Sequence, residues 1–333
     1  MTSPNRPGLR SPKGLPDWVA LHFPGRTNAT FEGRRDSSLV TRPRQVLPNQ
    51  FYLITRSCTQ RQFLLRPDEE VTNAFAYCLA IASERCNVTV ILSMVESNHH
   101  HTVIFDREGH VPRFLEHLHK LTARCINALR GRWENLWVAE EPCVTRLLDI
   151  PTVMAKLVYA AANPVKDYLV ERATQWPGLN GYRHLLSRKS LQVDRPRHFF
   201  REDGTMPATI NLHFVIPSEL GDADEMIEEL KARVEELERD VFQQRTISGR
   251  QILGRRNILR QSWRASPNSE APHRNLRPRF AGLRRTRGVA LVAFKDFLSA
   301  YREALEQWRA GAACRFPAGT YWLSHYAPIP LES

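Results

Sequence analysis

Residues Asn87–Asp106 read NVTVILSMVESNHHHTVIFD, two strand-like runs joined by a tight connection, around which the other elements arrange themselves. Asn87–Glu96 is dense in β-branched and apolar residues, the composition of a strand. Asn98–Asp106 (NHHHTVIFD) makes a second strand after a tight connection. Upstream, Arg66–Cys86 reads as a helix with Pro67 and Asp68 near its start, and Gln50–Cys58 (QFYLITRSC) is aromatic and β-prone. Downstream, Val111–Gly131 places Phe114, Leu118, Leu121, Cys125 and Leu129 at the 3.6-residue period of a core-facing helix. Cys143–Asp149 is a short strand and Pro151–Asn163 a helix. The order β-α-β-β-α-β-α predicts an α+β fold, a ferredoxin-like antiparallel sheet with helices.

Outside this block the composition changes. Residues 1–47 are rich in Pro, Gly, Arg and Ser and predict a basic, irregular arm. Beyond about residue 185, Pro, Arg and His cluster at Asp194–His198, and a strand is expected at Thr209–Val215. Charged amphipathic helices are expected at Asp222–Phe242 and Leu291–Trp308, the latter burying Leu291, Phe294, Leu298, Tyr301, Leu305 and Trp308. The expected division is an arm (1–47), a central α+β domain (48–185) and a mainly helical, arginine-rich C-terminal module (186–333).

The chain has 333 residues, 42% hydrophobic and 25% charged, enough to bury a substantial core. No apolar run approaches the roughly 18 residues needed to span a bilayer, and the N-terminus lacks a secretory h-region, so the expected compartment is the cytoplasm. The six cysteines form no C-x-x-C pair, the pattern of reduced thiols rather than a zinc knuckle or disulfide framework. The formal charge is +12. Between Gln244 and Gly288 twelve arginines face one acid, Glu270, and no lysine occurs. A field of that sign collects polyanions, and guanidinium alone suits phosphate, so nucleic acid is the expected partner.

On a strand, side chains alternate, so His99 and His101 point one way and His100 the other. Two imidazoles about 6.5–7 Å apart along one strand can converge on one metal ion, or simply be two hydrogen-bonded surface histidines. The helix Pro151–Asn163 adds a second feature. Its apolar stripe is Ile150, Val153, Met154, Leu157, Val158 and Ala161, and Tyr159 lies about 140° from Met154 at 100° per residue. Thr152, Lys156 and Asn163 share the face of Tyr159, which is therefore not placed as a core filler. Asn163 precedes Pro164 and is equally well placed as a helix C-cap.

Asn98-His99-His100-His101, followed about sixty residues later by Leu157-Val158-Tyr159-Ala160-Ala161-Ala162-Asn163-Pro164-Val165, resembles the HUH single-tyrosine transposases. The REP-associated tyrosine transposases, with N-H-x-H and R-Y-I-x-x-N-P-V-R-A, are the branch it resembles most. The likeness runs from about Gln50 to Tyr182 and includes the Leu136-Trp137 pair. It departs from the family at His100, at Val138-Ala139-Glu140 in place of Gly-Arg-aromatic, and at Val158 in place of arginine.

The resemblance implies the HUH endonuclease fold for residues 48–185, with His99, His101 and Asn163 holding Mg²⁺ or Mn²⁺ and Tyr159 as nucleophile. It implies single-stranded or hairpin DNA as substrate, a 5′-phosphotyrosine intermediate, and a nucleoid-associated enzyme acting as monomer or homodimer. Lys156, one turn before Tyr159, is expected to lower the phenol pKa or contact phosphate. Arg113, His117, Lys120 and Arg124 on one helix face, with Trp133 and Trp137 nearby, are expected to follow the DNA strand. Arg250, Arg255, Arg256 and Arg260 are expected to grip flanking DNA. Two other readings use the same residues: a DNA-binding protein of this fold without catalysis, and a metal-dependent nuclease using water.

Overall fold

In a computed structural model of the protein, which describes residues 43–269 and 277–332, the elements around the histidine run come in the expected order. They are β1 (Gln50–Ser57), α1 (Glu69–Cys86), β2 (Val88–Val95), β3 (His99–Asp106), α2 (Val111–Arg130), β4 (Cys143–Leu147) and α3 (Ile150–Ala161). The strands lie in the order β2-β3-β1-β4, each antiparallel to its neighbour, which is ferredoxin-like pairing. A two-residue strand, β7 (Phe280–Ala281), adds to the outer edge of β4 in parallel, so the sheet is mixed rather than purely antiparallel. It has no periodicity of its own, because two residues give no pattern to read.

Pairing fixes which side chains share a face. Val95 lies opposite His100 and Met94 opposite His101, and Glu96 N donates to His99 O (2.8 Å) to close the hairpin. Cross-strand partners project to the same side, so Glu96, His99, Met94 and His101 share one face. His100 projects to the other. There it is fully buried, its Nδ1 2.9 Å from Thr102 Oγ1 and its Nε2 3.1 Å from His119 Nε2 of α2. Phe75 of α1 and Trp137 complete that pocket. Helices α1 and α2 thus cover one face of the sheet and α3 the other. A bulge at Val90–Leu92 lets both Ile91 and Leu92 enter the α3-side core.

That core joins Leu53, Met94, Val103 and Phe105 of the sheet to Val153, Met154, Leu157 and Ala161 of α3, with Trp176 donating from Nε1 to Val95 O (2.7 Å). Each such aliphatic side chain contributes about 1.5–3 kcal/mol by burial, which clamps α3 onto the strand carrying the histidines. Helix α3 starts at Asp149, whose Oδ1 accepts from Thr152 N (3.0 Å). It stops at Ala161 because Pro164 has no N–H to continue the ladder, and a one-turn helix, α4 (Asn163–Lys166), follows.

Val46–Lys295 forms one compact unit, so residues 186–295 belong with the sheet rather than beginning a separate body at 186. The reason is apolar. From α5 (Gly181–Ser187) the chain makes an unexpected hairpin, β5 (Leu191–Asp194) with β6 (Thr209–Leu212), and then α6 (Ala223–Ser248). Met226, Ile227, Leu230 and Val234 of α6 are buried in the α3-side core. So is Ile258 of α7 (Arg255–Arg260). The last long helix, α8 (Arg284–Arg309), starts seven residues earlier than its periodicity suggests, because Asp149 Oδ2 accepts from Leu283 N (2.8 Å) and Thr286 Oγ1 (2.7 Å). Leu291, expected in the core, is exposed; Phe294 is buried as expected, and Phe297, outside the expected stripe, is buried with it. Residues 43–45 and 296–332 form a second unit, in which Tyr301 and Trp308 meet Phe316 and a short helix, α9 (Trp322–Tyr326), lies near the end. Most of the expected N-terminal arm (1–42), together with Glu270 and Arg274, lies outside the described residues. Among the described residues no helix is long and apolar enough to cross a membrane.

Candidate active site

His99 and His101 meet above the sheet face that α3 covers, their Nε2 atoms 3.1 Å apart. Their outer nitrogens are held from behind. Asn98 Nδ2 donates to Arg61 O (3.2 Å), which turns Asn98 Oδ1 toward His99 Nδ1 at 2.8 Å. An amide oxygen only accepts, so His99 carries its proton on Nδ1 and presents a lone pair at Nε2. His101 Nδ1 lies 2.8 Å from Thr55 Oγ1, a hydroxyl that serves as donor or acceptor and so supports either tautomer. Both rings are kept neutral. Burial and the nearby Arg61 charge lower His99 to about 4, and burial followed by His99, His100 and Lys156 holds His101 well below the usual histidine range. Neutral imidazoles aimed at a common point, each oriented through its other nitrogen, form a metal-binding arrangement.

Tyr159 approaches from α3. Its ring centroid is 5.0 Å from that of His101, edge to face, and the residue is half-buried. Two ammonium groups lie over its ring, Lys156 Nζ at 5.5 Å and Lys166 Nζ at 5.2 Å. Burial, then Glu96, Asp167 and Cys143, push the phenol pKa up, the direction opposite to the lowering expected of Lys156. Asn163 is buried, and its side chain does not cap the helix. Its Nδ2 lies 2.5 Å from Glu96 Oε1 and 3.2 Å from His99 Nε2.

Glu96, Asp167, Lys166 and Arg61 have no place in the sequence-derived site. Glu96 is 2% exposed, with Oε2 4.0 Å from His99 Nε2; burial and the neighbouring Asp167 raise its pKa to about 8 against the pull of the Asn163 hydrogen bond. Its signal was available. If Ser97-Asn98 is read as a two-residue hairpin loop, Glu96 falls opposite His99 and onto the same face. Among the described residues no three His, Cys, Asp or Glu side chains are already gathered at metal-binding distances. What does gather is a pair of imidazoles, an amide and one adjoining carboxyl group.

No family model matches the chain, and no curated protein matches it. Among solved structures it is similar to a REP-associated tyrosine transposase bound to a REP hairpin, at 13% identity and a TM-score of 0.38 over 50% of this chain and 100% of that one. It is also similar to a candidate transposase from Deinococcus radiodurans R1, at 18% identity and a TM-score of 0.26 over 32% of this chain and 84% of that one.

The two sets of expected DNA contacts fare differently. Arg113, Lys120 and Arg124 are exposed and His117 half-buried on the outer side of α2, and α2 lies across the sheet from Tyr159. Lys120 is 3.9 Å from Glu116, and Arg124 stacks over Phe199. The structure does not bring this stripe to the site, because the same helix spends its buried side on His100's face. The segment after α6 is bonded to the chain on either side of the site. Leu253 N and Gly254 N donate to Tyr168 O and Leu169 O (2.9 and 3.0 Å), just past α4, while Phe63 N donates to Ala265 O (2.9 Å) and Ser266 Oγ to Gln60 O (2.8 Å). Residues 250–266 therefore run from the Asn163 side of the site to the Arg61 side. Arg250 sits over the Tyr168 ring at 4.5 Å, and Arg255, Arg256 and Arg260 are exposed along the strap. Trp133 is 97% exposed, whereas Trp137 is buried and donates to His119 O (2.9 Å).

Proposed function

We propose that this chain is a transposase-type enzyme that cleaves and rejoins single-stranded DNA through a 5′-phosphotyrosine at Tyr159, with hairpin-bearing DNA as substrate. The observation that carries the reading is the meeting of Tyr159 from α3 with the His99–His101 pair from β3, from two segments some sixty residues apart. The motif resemblance names the same residues independently of the geometry.

The donor set suits a divalent cation. The pair of imidazoles is neutral, His99 presents its lone pair inward, and the Asn163 amide and the Glu96 carboxyl group stand beside them. Two nitrogen donors make Mn²⁺ at least as suitable as Mg²⁺. Such an ion, when bound, neutralises and orients the scissile phosphate. The chain's own residues do the rest. Tyr159 Oη forms the new O–P bond as the P–O3′ bond breaks; the phenol gives up its proton and the departing 3′ oxygen gains one. The phosphotyrosine keeps the energy of the broken linkage, so attack by another 3′-OH rejoins DNA without ATP. Lys156 and Lys166 supply positive charge beside the nucleophile, where charge on the phosphate builds. Arg250, Arg255, Arg256 and Arg260 hold the backbone along the strap by charge-assisted contacts, and Trp133 offers an open face for a base.

Incubation with a pool of hairpin-flanked single-stranded DNA and Mn²⁺ tests this. A denaturation-resistant protein–DNA adduct is expected with wild type and not with Tyr159→Phe. DNA binding without adduct, unaffected by Tyr159→Phe or EDTA, points instead to a non-catalytic DNA-binding protein. Cleavage that survives Tyr159→Phe points to water as the nucleophile.

A further inference from the structure

The motif assigns the oxygen ligand of the metal to Asn163, but the side chains are arranged otherwise. The atom of Asn163 that faces His99 is Nδ2, at 3.2 Å, and the same nitrogen donates to Glu96 Oε1. An amide nitrogen has no lone pair free for a hard cation. The oxygen that stands beside the imidazole pair is Glu96 Oε2, 4.0 Å from His99 Nε2.

We infer that Glu96, rather than Asn163, completes the metal site as its oxygen ligand, and that Asn163 is a positioning residue that holds the Glu96 carboxylate through its Nδ2–H. This rests on the reading of His99 and His101 as metal ligands. Three observations support it. Glu96 is placed by the backbone: it closes the β2–β3 hairpin opposite His99 and shares that residue's face. Among the described residues no lysine or arginine forms an ion pair with it, although it is 2% exposed, so the only charged partner open to its carboxylate form is an ion bound between it and the imidazole pair. The chemistry also improves, because two imidazoles and an amide leave a divalent charge unbalanced, whereas a carboxylate supplies the anionic oxygen that Mg²⁺ and Mn²⁺ prefer. Ligands sharing one such ion stand about 3 Å apart. The terminal torsion of glutamate is broad enough to close the difference from the resting separation without moving the backbone.

The test is Mn²⁺ binding to the full chain without DNA, read by calorimetry and by loss of the free-ion EPR signal. Glu96→Gln keeps the shape and the acceptor for Asn163, so it should fold, and circular dichroism checks that it does. It is expected to weaken Mn²⁺ binding by more than about 100-fold, with Asn163→Ala weakening it by about tenfold, the lower end of the range for outer-shell residues. The double variant Glu96→Gln/Asn163→Asp moves the carboxylate across the hydrogen bond and is expected to recover most of the lost affinity. Wild-type binding that Glu96→Gln retains, or a larger loss in Asn163→Ala than in Glu96→Gln, overturns the assignment and leaves the histidine site standing. No binding by wild type, with His99→Ala indistinguishable from it, overturns the metal reading together with the assignment.

Discussion

Replacing Glu96 by glutamine should change how the metal-free protein responds to pH. A carboxyl whose ordinary value of 4.5 is raised to about 8 by burial and by Asp167 binds its proton more tightly in the folded chain than in the unfolded one. Its stabilising contribution is complete below about pH 4.5, and it is lost progressively as pH rises through about 8. At about 1.4 kcal/mol for each tenfold difference in proton affinity, the full span is on the order of 5 kcal/mol. Relaxation and water entry on ionisation reduce this, so a loss of roughly 2–5 kcal/mol between pH 5 and pH 9 is expected of wild type in EDTA. Glu96→Gln has no proton to lose and should be flatter over that window by the same amount. Urea unfolding at fixed ionic strength, at pH 5, 6, 7, 8 and 9, measures it as a change in midpoint at constant slope. Equal pH dependence in the two proteins would mean that Glu96 ionises in the fold as readily as in water, contrary to this expectation.

Other consequences follow from where the remaining side chains sit. His99 is lowered to about 4, so its contribution runs the other way: metal-free stability should fall as pH drops from about 6.5 toward 4, and His99→Asn should blunt that acid limb in the same titration. Trp133→Ala should leave stability within about 0.5 kcal/mol, because the ring is 97% exposed, while weakening single-stranded DNA binding by about 1–3 kcal/mol in a fluorescence titration. Trp137→Ala should cost about 3–5 kcal/mol of stability in thermal unfolding, through its cavity and the lost bond to His119 O. Changing Arg250, Arg255, Arg256 and Arg260 together to glutamine should lower the salt slope of DNA binding by up to about 0.7 for each lost phosphate contact. The same change at Arg113, Lys120 and Arg124 should leave that slope near wild type, because those side chains lie across the sheet from Tyr159.

The fold of residues 50–161 was legible because its signals are strong and local. The β-branched run before the histidines, the 3.6-residue period of α2, and Asp68 and Asp149 before their helices each point to one structure, and no signal contradicts another. The histidine pair and Tyr159 were legible for the same reason: strand alternation and helical rotation fix direction from spacing alone. Glu96 is not legible in the same way, because its place depends on hairpin register, and a change of one residue in the loop reverses the face. Lys166, Asp167 and Arg61 reach the site through the break at Pro164 and through the loop before α1, neither of which has a period to read. The α2 stripe looked like a DNA contact because amphipathicity reveals which side of a helix is exposed, but not which face of the sheet the helix covers. Residues 186–295 looked separate because the sequence changes composition there; Leu230, Val234 and Ile258 nevertheless fill the same core as Met154 and Leu157.

Covalent trapping shows whether Tyr159 is the nucleophile. Wild type is incubated with hairpin-flanked single-stranded DNA and Mn²⁺, the denaturation-resistant product is digested, and the modified peptide is sequenced by mass spectrometry. The account predicts a nucleotide 5′-phosphate on Tyr159, no adduct with Tyr159→Phe, and release of a free 3′-OH strand. An adduct on any other residue, or cleavage with no adduct at all, would contradict it.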